Sequence, residues 1–189
     1  AVNTEYCLKI DIQKFYPSVD HEVLKALLQR KFKDADLLDL LYTIIDSSPG
    51  LPIGSYLSGY LANFYLTGFD HWVKQTLGVK DYYRYADDIV IPAPDKPYLH
   101  AVLGELRDYL STNLHLTIKH NYQIFPIADR GIDFLGYRYY HTHTLLRKGI
   151  KKRYVRMLRY QRNTASEASY DGWLKHCNAK NLRRRRQLT

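Results

Sequence analysis

Two adjacent carboxylates, Asp87 and Asp88, interrupt an otherwise apolar and aromatic run, Tyr82-Tyr83-Arg84-Tyr85-Ala86-Asp87-Asp88-Ile89-Val90-Ile91. Like charges side by side repel, and a half-buried strand is a costly place for either, so the pair needs a positive partner. A divalent metal is the obvious candidate. Residues 82–85 and 89–91 both read as short aromatic or β-branched strands, with room between them only for a tight turn. A hairpin with both acids at its tip presents them on a rigid support.

One hairpin does not complete a metal site. Magnesium takes oxygen ligands and is held by one or two carboxylates plus substrate phosphates, so a further acid is worth seeking. Asp11 ends an apolar, strand-like run over 6–12 and is followed by Gln13-Lys14-Phe15-Tyr16-Pro17-Ser18.

At these residues the chain resembles a known family. Asp11 with Phe15 and Tyr16 resembles the first catalytic motif of reverse transcriptases, and Tyr85-Ala86-Asp87-Asp88 resembles their hallmark tetrapeptide. Gly50-Leu51-Pro52-Ile53-Gly54-Ser55-Tyr56-Leu57-Ser58, followed by residues 61–66, is similar to the nucleotide-binding motif, and Gly131-Ile132-Asp133-Phe134-Leu135-Gly136-Tyr137 to the primer-grip segment. A lone Asp-Asp pair is most often a solvated loop feature; four motifs in order, covering almost the whole chain, are specific. The pattern is closest to bacterial retroelement enzymes of the group II intron, retron and diversity-generating types.

The resemblance implies an α+β fold: a polymerase palm over 1–147, with an antiparallel sheet, helices on one face and a ferredoxin-like core, then a basic helical thumb over 148–189. It implies RNA-directed DNA polymerase activity, adding dNTPs to a primer 3′ hydroxyl with two Mg²⁺ ions roughly 4 Å apart, Mn²⁺ being a substitute. The implied metal ligands are Asp11, Asp87 and the backbone carbonyl of Ile12, with Asp88 as the acid at the margin of the site. Implied partners are an RNA template, a DNA or RNA primer and dNTPs, with an accessory protein or a cognate structured RNA beside them. Two other classes stay open: a catalytically silent nucleic-acid-binding module, and a carboxylate metal nuclease.

Further roles follow from the same resemblance. Phe15 is a substrate-binding candidate of the first motif, and Tyr16 stands where a bulky ring lies beneath the incoming sugar, so Tyr16 would exclude a 2′ hydroxyl; the plain alternative is a core aromatic. Pro52, Ile53 and Gly54 belong to the nucleotide motif. Ile53 replaces the Gln of many relatives, as in diversity-generating enzymes, although Gly59 departs from that subgroup; the expectation is looser base discrimination, against a simple packing role. Lys119 is the candidate to neutralise the leaving pyrophosphate. Phe134, Leu135, Gly136 and Tyr137 would form an edge against the primer terminus, Gly136 allowing close approach. Tyr170, Gly172, Trp173, Leu174 and His176 resemble a thumb segment with a packing role. The chain begins almost at the first catalytic strand, so the resemblance covers palm and thumb without the fingers.

Charge divides the chain in the same place. The last 43 residues, from Arg147 on, carry fourteen Lys or Arg against Glu167 and Asp171, so the overall +9 separates into +12 there and −3 before it. Such a balance suits a phosphate backbone. The run Arg183-Arg184-Arg185-Arg186 alone reads as a solvated stretch. By contrast, Lys148, Lys151, Lys152, Arg153, Arg156 and Arg159 recur among Ile150, Tyr154, Val155 and Leu158 with the spacing of an amphipathic helix with one basic face.

Elsewhere Asp20 caps a helix whose stripe is Val23, Leu24, Leu27, Leu28 and Phe32, and a second helix runs near 37–45. A third is expected over 58–77, and a fourth from Asp95, with Leu99, Val102, Leu103, Leu106 and Leu110 inward. Strands return after Leu116. At 189 residues and 46% hydrophobic content the chain can bury a real core. It has no bilayer-length apolar stretch and starts unlike a signal peptide, so a cytoplasmic protein, bacterial or phage-encoded, is expected. Cys7 and Cys177 lack pairing or zinc-ligand spacing, and His141-Thr142-His143 reads as a surface hairpin.

Overall fold

The computed structural model describes residues 4–160 and 163–182, so the arginine run at 183–186 lies outside the described residues. The chain divides into two compact units, Ala1–Ile124 and Phe125–Thr189. The boundary expected at 147/148 falls inside the second unit. The reason is a shared core: Tyr137 and Leu146, on strands, bury against Ile150, Tyr154, Met157, Leu158 and Leu174, on helices.

In the first unit, β1 (Tyr6–Asp11), β2 (Tyr83–Tyr85) and β3 (Asp88–Ala93) form an antiparallel sheet with β3 between the other two. Beyond β1 lies β4 (Gln123–Pro126), whose first two residues close this unit. Period-two alternation sends Leu8, Ile10, Ile12, Ile89, Ile91 and Ala93 into the main core. The opposite face carries Lys9, Asp11 and Asp88.

Helices cover the apolar face. The helix α1 (His21–Lys31) starts where Asp20 Oδ1 accepts from Val23 N at 3.1 Å, and buries Leu24 and Leu28. Asp34 caps α2 (Ala35–Ile45) in the same way. The expected helix over 58–77 is broken into α3 (Tyr56–Tyr65), α4 (Thr67–His71) and a π-helical turn over Trp72–Thr76. At the break Thr67 Oγ1 donates to Asn63 O at 3.2 Å, a side chain competing for a helix carbonyl. The long α5 (Lys96–Leu114), capped by Asp95, buries the expected stripe, Leu99, Val102, Leu103, Leu106 and Leu110, together with Leu114. Each such leucine contributes about 1.5–3 kcal/mol by leaving water.

In the second unit a single turn of helix, α6 (Ile127–Arg130), precedes an antiparallel meander of β5 (Ile132–Phe134), β6 (Tyr137–Tyr139) and β7 (Thr144–Leu146). Two helices follow, α7 (Lys148–Tyr160) and α8 (Thr164–Lys175), the latter capped by Asn163. The whole is the expected α+β architecture. Among the described residues no helix is long and apolar enough to cross a membrane.

Candidate active site

The acids meet at one end of the first sheet. Tyr85 pairs with Asp88 across the β2–β3 hairpin, so Ala86 and Asp87 are the two turn residues. Asp87 therefore sits at the tip and Asp88 is the first residue of β3, directly opposite Asp11 on β1. Ala86 adopts φ +51, a left-handed conformation that few alanines occupy. The turn is tied to the first motif by Ile12 N, which donates to Asp87 O at 3.2 Å.

Like charges directly opposite on a sheet are destabilising, and two ammonium groups offset them here. Lys9 Nζ lies 3.1 Å from Asp88 Oδ2, and Lys119 Nζ lies 3.4 Å from Asp11 Oδ1. Lys119 N also donates to Asp11 O at 2.9 Å, which fixes the lysine at the acid by its backbone. Burial pushes the Asp88 carboxyl up, the Lys9 ammonium draws it down, and Asp11 and Asp87 push it up again, with a net upward direction.

The donor set suits a hard divalent cation. All three side chains offer carboxylate oxygen, and Asp88 Oδ1 is buried with no hydrogen-bond partner. Among the described residues, however, no three His, Cys, Asp or Glu side chains already stand together as a cation cluster. The cations that stand against these acids are Lys9, at Asp88, and Lys119, at Asp11. The residues fit magnesium in chemistry, with lysines as the counter-charges in place.

The predicted nucleotide-site residues gather beside the first motif. Phe15 is buried and Tyr16 half-buried, their rings packed edge to face at 5.6 Å. The loop bearing Pro52, Ile53 and Gly54 is pinned to this turn. Leu51 N donates to Tyr16 O at 2.8 Å, and a Cβ at Gly50 would lie 2.5 Å from Pro17 O. Ile53 is 82% exposed, so it has no packing role.

The four residues expected to grip the primer lie in the second unit on the β5–β6 hairpin, with Leu135 and Gly136 as its turn. Phe134 and Tyr137 are buried, Leu135 is exposed, and Gly136 faces the Trp173 ring. The smallness of Gly136 thus serves packing within its own unit. On α7, Ile150, Tyr154, Met157 and Leu158 are buried, whereas Lys148, Lys151, Lys152, Arg153, Arg156 and Arg159 are all exposed, giving a basic face. His143 stacks on Tyr140 at 4.6 Å in the β6–β7 turn.

Sequence reasoning missed three contributors. Lys9 was legible in principle, since it precedes Asp11 by two residues and so shares its strand face. Gly50, read only as ending a helical region, and the Arg84 side chain, which reaches Asp70, Asn63 and Ala86, depend on tertiary neighbours.

The family described as reverse transcriptase (RNA-dependent DNA polymerase) matches residues 2–139, which holds every acid of the site. The chain belongs to the reverse transcriptase family. This reverse transcriptase domain is 21% identical to a COX1/OXI3 intron 2 protein of Saccharomyces cerevisiae, over 70% of this chain and 24% of that one. It is 25% identical to protein YkfC of Escherichia coli, over 68% of this chain and 45% of the relative. The chain thus spans under half the length of both. Among solved structures it resembles telomerase from Candida albicans in complex with a fragment of telomeric RNA, with TM-score 0.57, 13% identity, and coverage of 72% of this chain and 29% of that one. Apo telomerase from Candida tropicalis gives TM-score 0.56 at 13% identity, over 73% and 32%. These likenesses establish a shared fold.

Proposed function

We propose that residues 1–147 belong to the palm and residues 148–189 to the thumb of an RNA-directed DNA polymerase that extends a primer 3′ hydroxyl with dNTPs. One observation carries the reading: two motifs 76 residues apart in sequence place Asp11 opposite Asp88, with Asp87 at the adjoining turn. Asp11 and Asp87, with the Ile12 carbonyl, would hold magnesium or manganese. When bound, that pair supplies Lewis-acid stabilisation of the attacking and leaving oxygens.

The remaining roles belong to the chain's own side chains. Asp88, bonded to Lys9, is the lesser ligand. Lys119 offers an ammonium group for the pyrophosphate that departs. The Tyr16 ring blocks a 2′ hydroxyl, and exposed Ile53 meets the nucleotide without a polar contact. Ribonucleotide uptake by Tyr16→Ala and the cDNA error spectrum of Ile53→Gln check those two roles; unchanged values remove them. Leu135 presents an apolar tip to the primer strand, and the α7 cations follow its phosphates. A telomerase neighbour bound to RNA supports an RNA template; an accessory protein or structured RNA is a further partner.

A catalytically silent nucleic-acid-binding module is the second reading, favoured by the Lys9–Asp88 and Lys119–Asp11 pairs. Primer extension on an RNA template, with the longest natural form of the protein, separates the readings. The proposal expects elongation that requires magnesium and dNTPs. Salt-sensitive binding without elongation gives the silent module, and degradation without nucleotides gives a nuclease.

A further inference from the structure

Arg84 is the most connected side chain near the acidic turn. Its Nε donates to Asp70 Oδ1 at 2.7 Å and its Nη2 to Asp70 Oδ2 at 2.5 Å, a two-pronged fork on α4. The third nitrogen, Nη1, donates to Ala86 O at 3.0 Å and to Asn63 Oδ1 on α3 at 3.1 Å. Burial opposes the guanidinium charge, but the Asp70 bonds outweigh it and the net direction is upward. Tyr82 OH gives Asp70 a further bond at 2.6 Å.

The anchor at the far end is firm. Phe69, next to Asp70, is fully buried and packs against Trp72 and Tyr109, whose rings stack on each other at 4.5 Å. At the near end, the carbonyl that Arg84 grips belongs to Ala86, the turn residue held at φ +51. A strained turn keeps its shape only where its surroundings over-determine it.

We propose that Arg84 is the positioning residue of the acidic turn: fixed by Asp70, it holds the Ala86 carbonyl, sets where Asp87 stands, and joins α3 to that turn. Its kinetic consequence rests on the polymerase reading; its structural consequence does not. Lysine cannot replace it, because one ammonium cannot span both Asp70 oxygens and the Ala86 carbonyl.

The test compares amide hydrogen exchange and primer extension for the wild type, Arg84→Lys and Asn63→Ala. The reporter is the Ile12 amide, which donates to Asp87 O. In Arg84→Lys it should exchange at least about tenfold faster, while α5 amides and Tm stay near wild type. Asn63→Ala should give a smaller change in the same direction. Extension kcat should fall about 100-fold in Arg84→Lys with KM for dNTP little changed. Unchanged Ile12 exchange in folded Arg84→Lys overturns the proposal, as does equal loosening of α5, which marks a purely structural role. If Arg84→Lys does not fold, unchanged Ile12 exchange in Asn63→Ala overturns it. If wild type fails to extend primers, the polymerase reading falls, and the exchange comparison still decides the positioning claim.

Discussion

The acidic turn of the first unit and the Leu135-Gly136 turn of the second are the same device with different side-chain support. Both are two-residue hairpin turns, and both hold a non-glycine residue in the left-handed region, Ala86 at φ +51 and Leu135 at φ +49. That conformation costs roughly 1–2 kcal/mol each time. In the first unit polar bonds fix the turn, from Arg84 to Ala86 O and from Ile12 N to Asp87 O. In the second, one backbone bond, from Arg147 N to Gly136 O at 2.9 Å, is joined by packing: Gly136 lies under Trp173, and Tyr137 OH donates to Trp173 O at 3.0 Å. The tip that carries charge adds a guanidinium to its backbone bond, and the tip that presents an apolar side chain adds a ring.

The largest expected effect lies in the acidic turn. Asp87→Asn should lower primer extension by about 10³-fold or more, since metal-based charge stabilisation is worth several kcal/mol. Asp88→Asn should cost less, because Lys9 already shares that carboxylate. Equal losses in rapid-quench kinetics would break the division of labour between the two acids.

Packing at the second turn comes next. In Gly136→Ala the new Cβ would meet Trp173 at 2.5 Å at φ +81, so the second unit should lose about 2 kcal/mol or more. Thermal unfolding followed by circular dichroism checks this. Leu135→Asn works the other way, since Asn tolerates the left-handed region and Asn-Gly suits such turns: stability should rise by about 1 kcal/mol. If extension falls while stability rises, Leu135 contributes to primer binding at the expense of stability.

Alkaline pH should separate the units by a smaller margin. Burial pushes Tyr65, in the first unit, from the ordinary 10.0 up to about 12, with its OH bonded to Leu114 O. A raised folded value means that the folded state keeps a proton the unfolded chain releases. The stabilisation is therefore complete below pH 10.0 and lost as pH rises toward about 12. Denaturation curves of wild type and Tyr65→Phe should diverge in that window, with the variant the less pH-sensitive.

Much of this was legible in the sequence. The period-two run of β1 and the stripe of α5 predict their elements because burial alone decides them. Asp11, Asp87 and Asp88 were legible by motif, and Lys119 only loosely, yet Lys119 meets Asp11 through a backbone bond that no local pattern encodes. The break at Leu66 escaped notice because Thr67 competes for Asn63 O only once the helix exists. The compact division after Ile124 was not legible, because Tyr137 and Leu146 take their core from helices that follow them.

On the polymerase reading the first turn, and not the second, holds the metal of the reaction. Manganese binding by electron paramagnetic resonance on the wild type, Asp87→Asn and Leu135→Asn tests it most directly. Asp87→Asn should release the ion, and Leu135→Asn should bind it as the wild type does. Unchanged manganese affinity in a folded Asp87→Asn protein would contradict that reading.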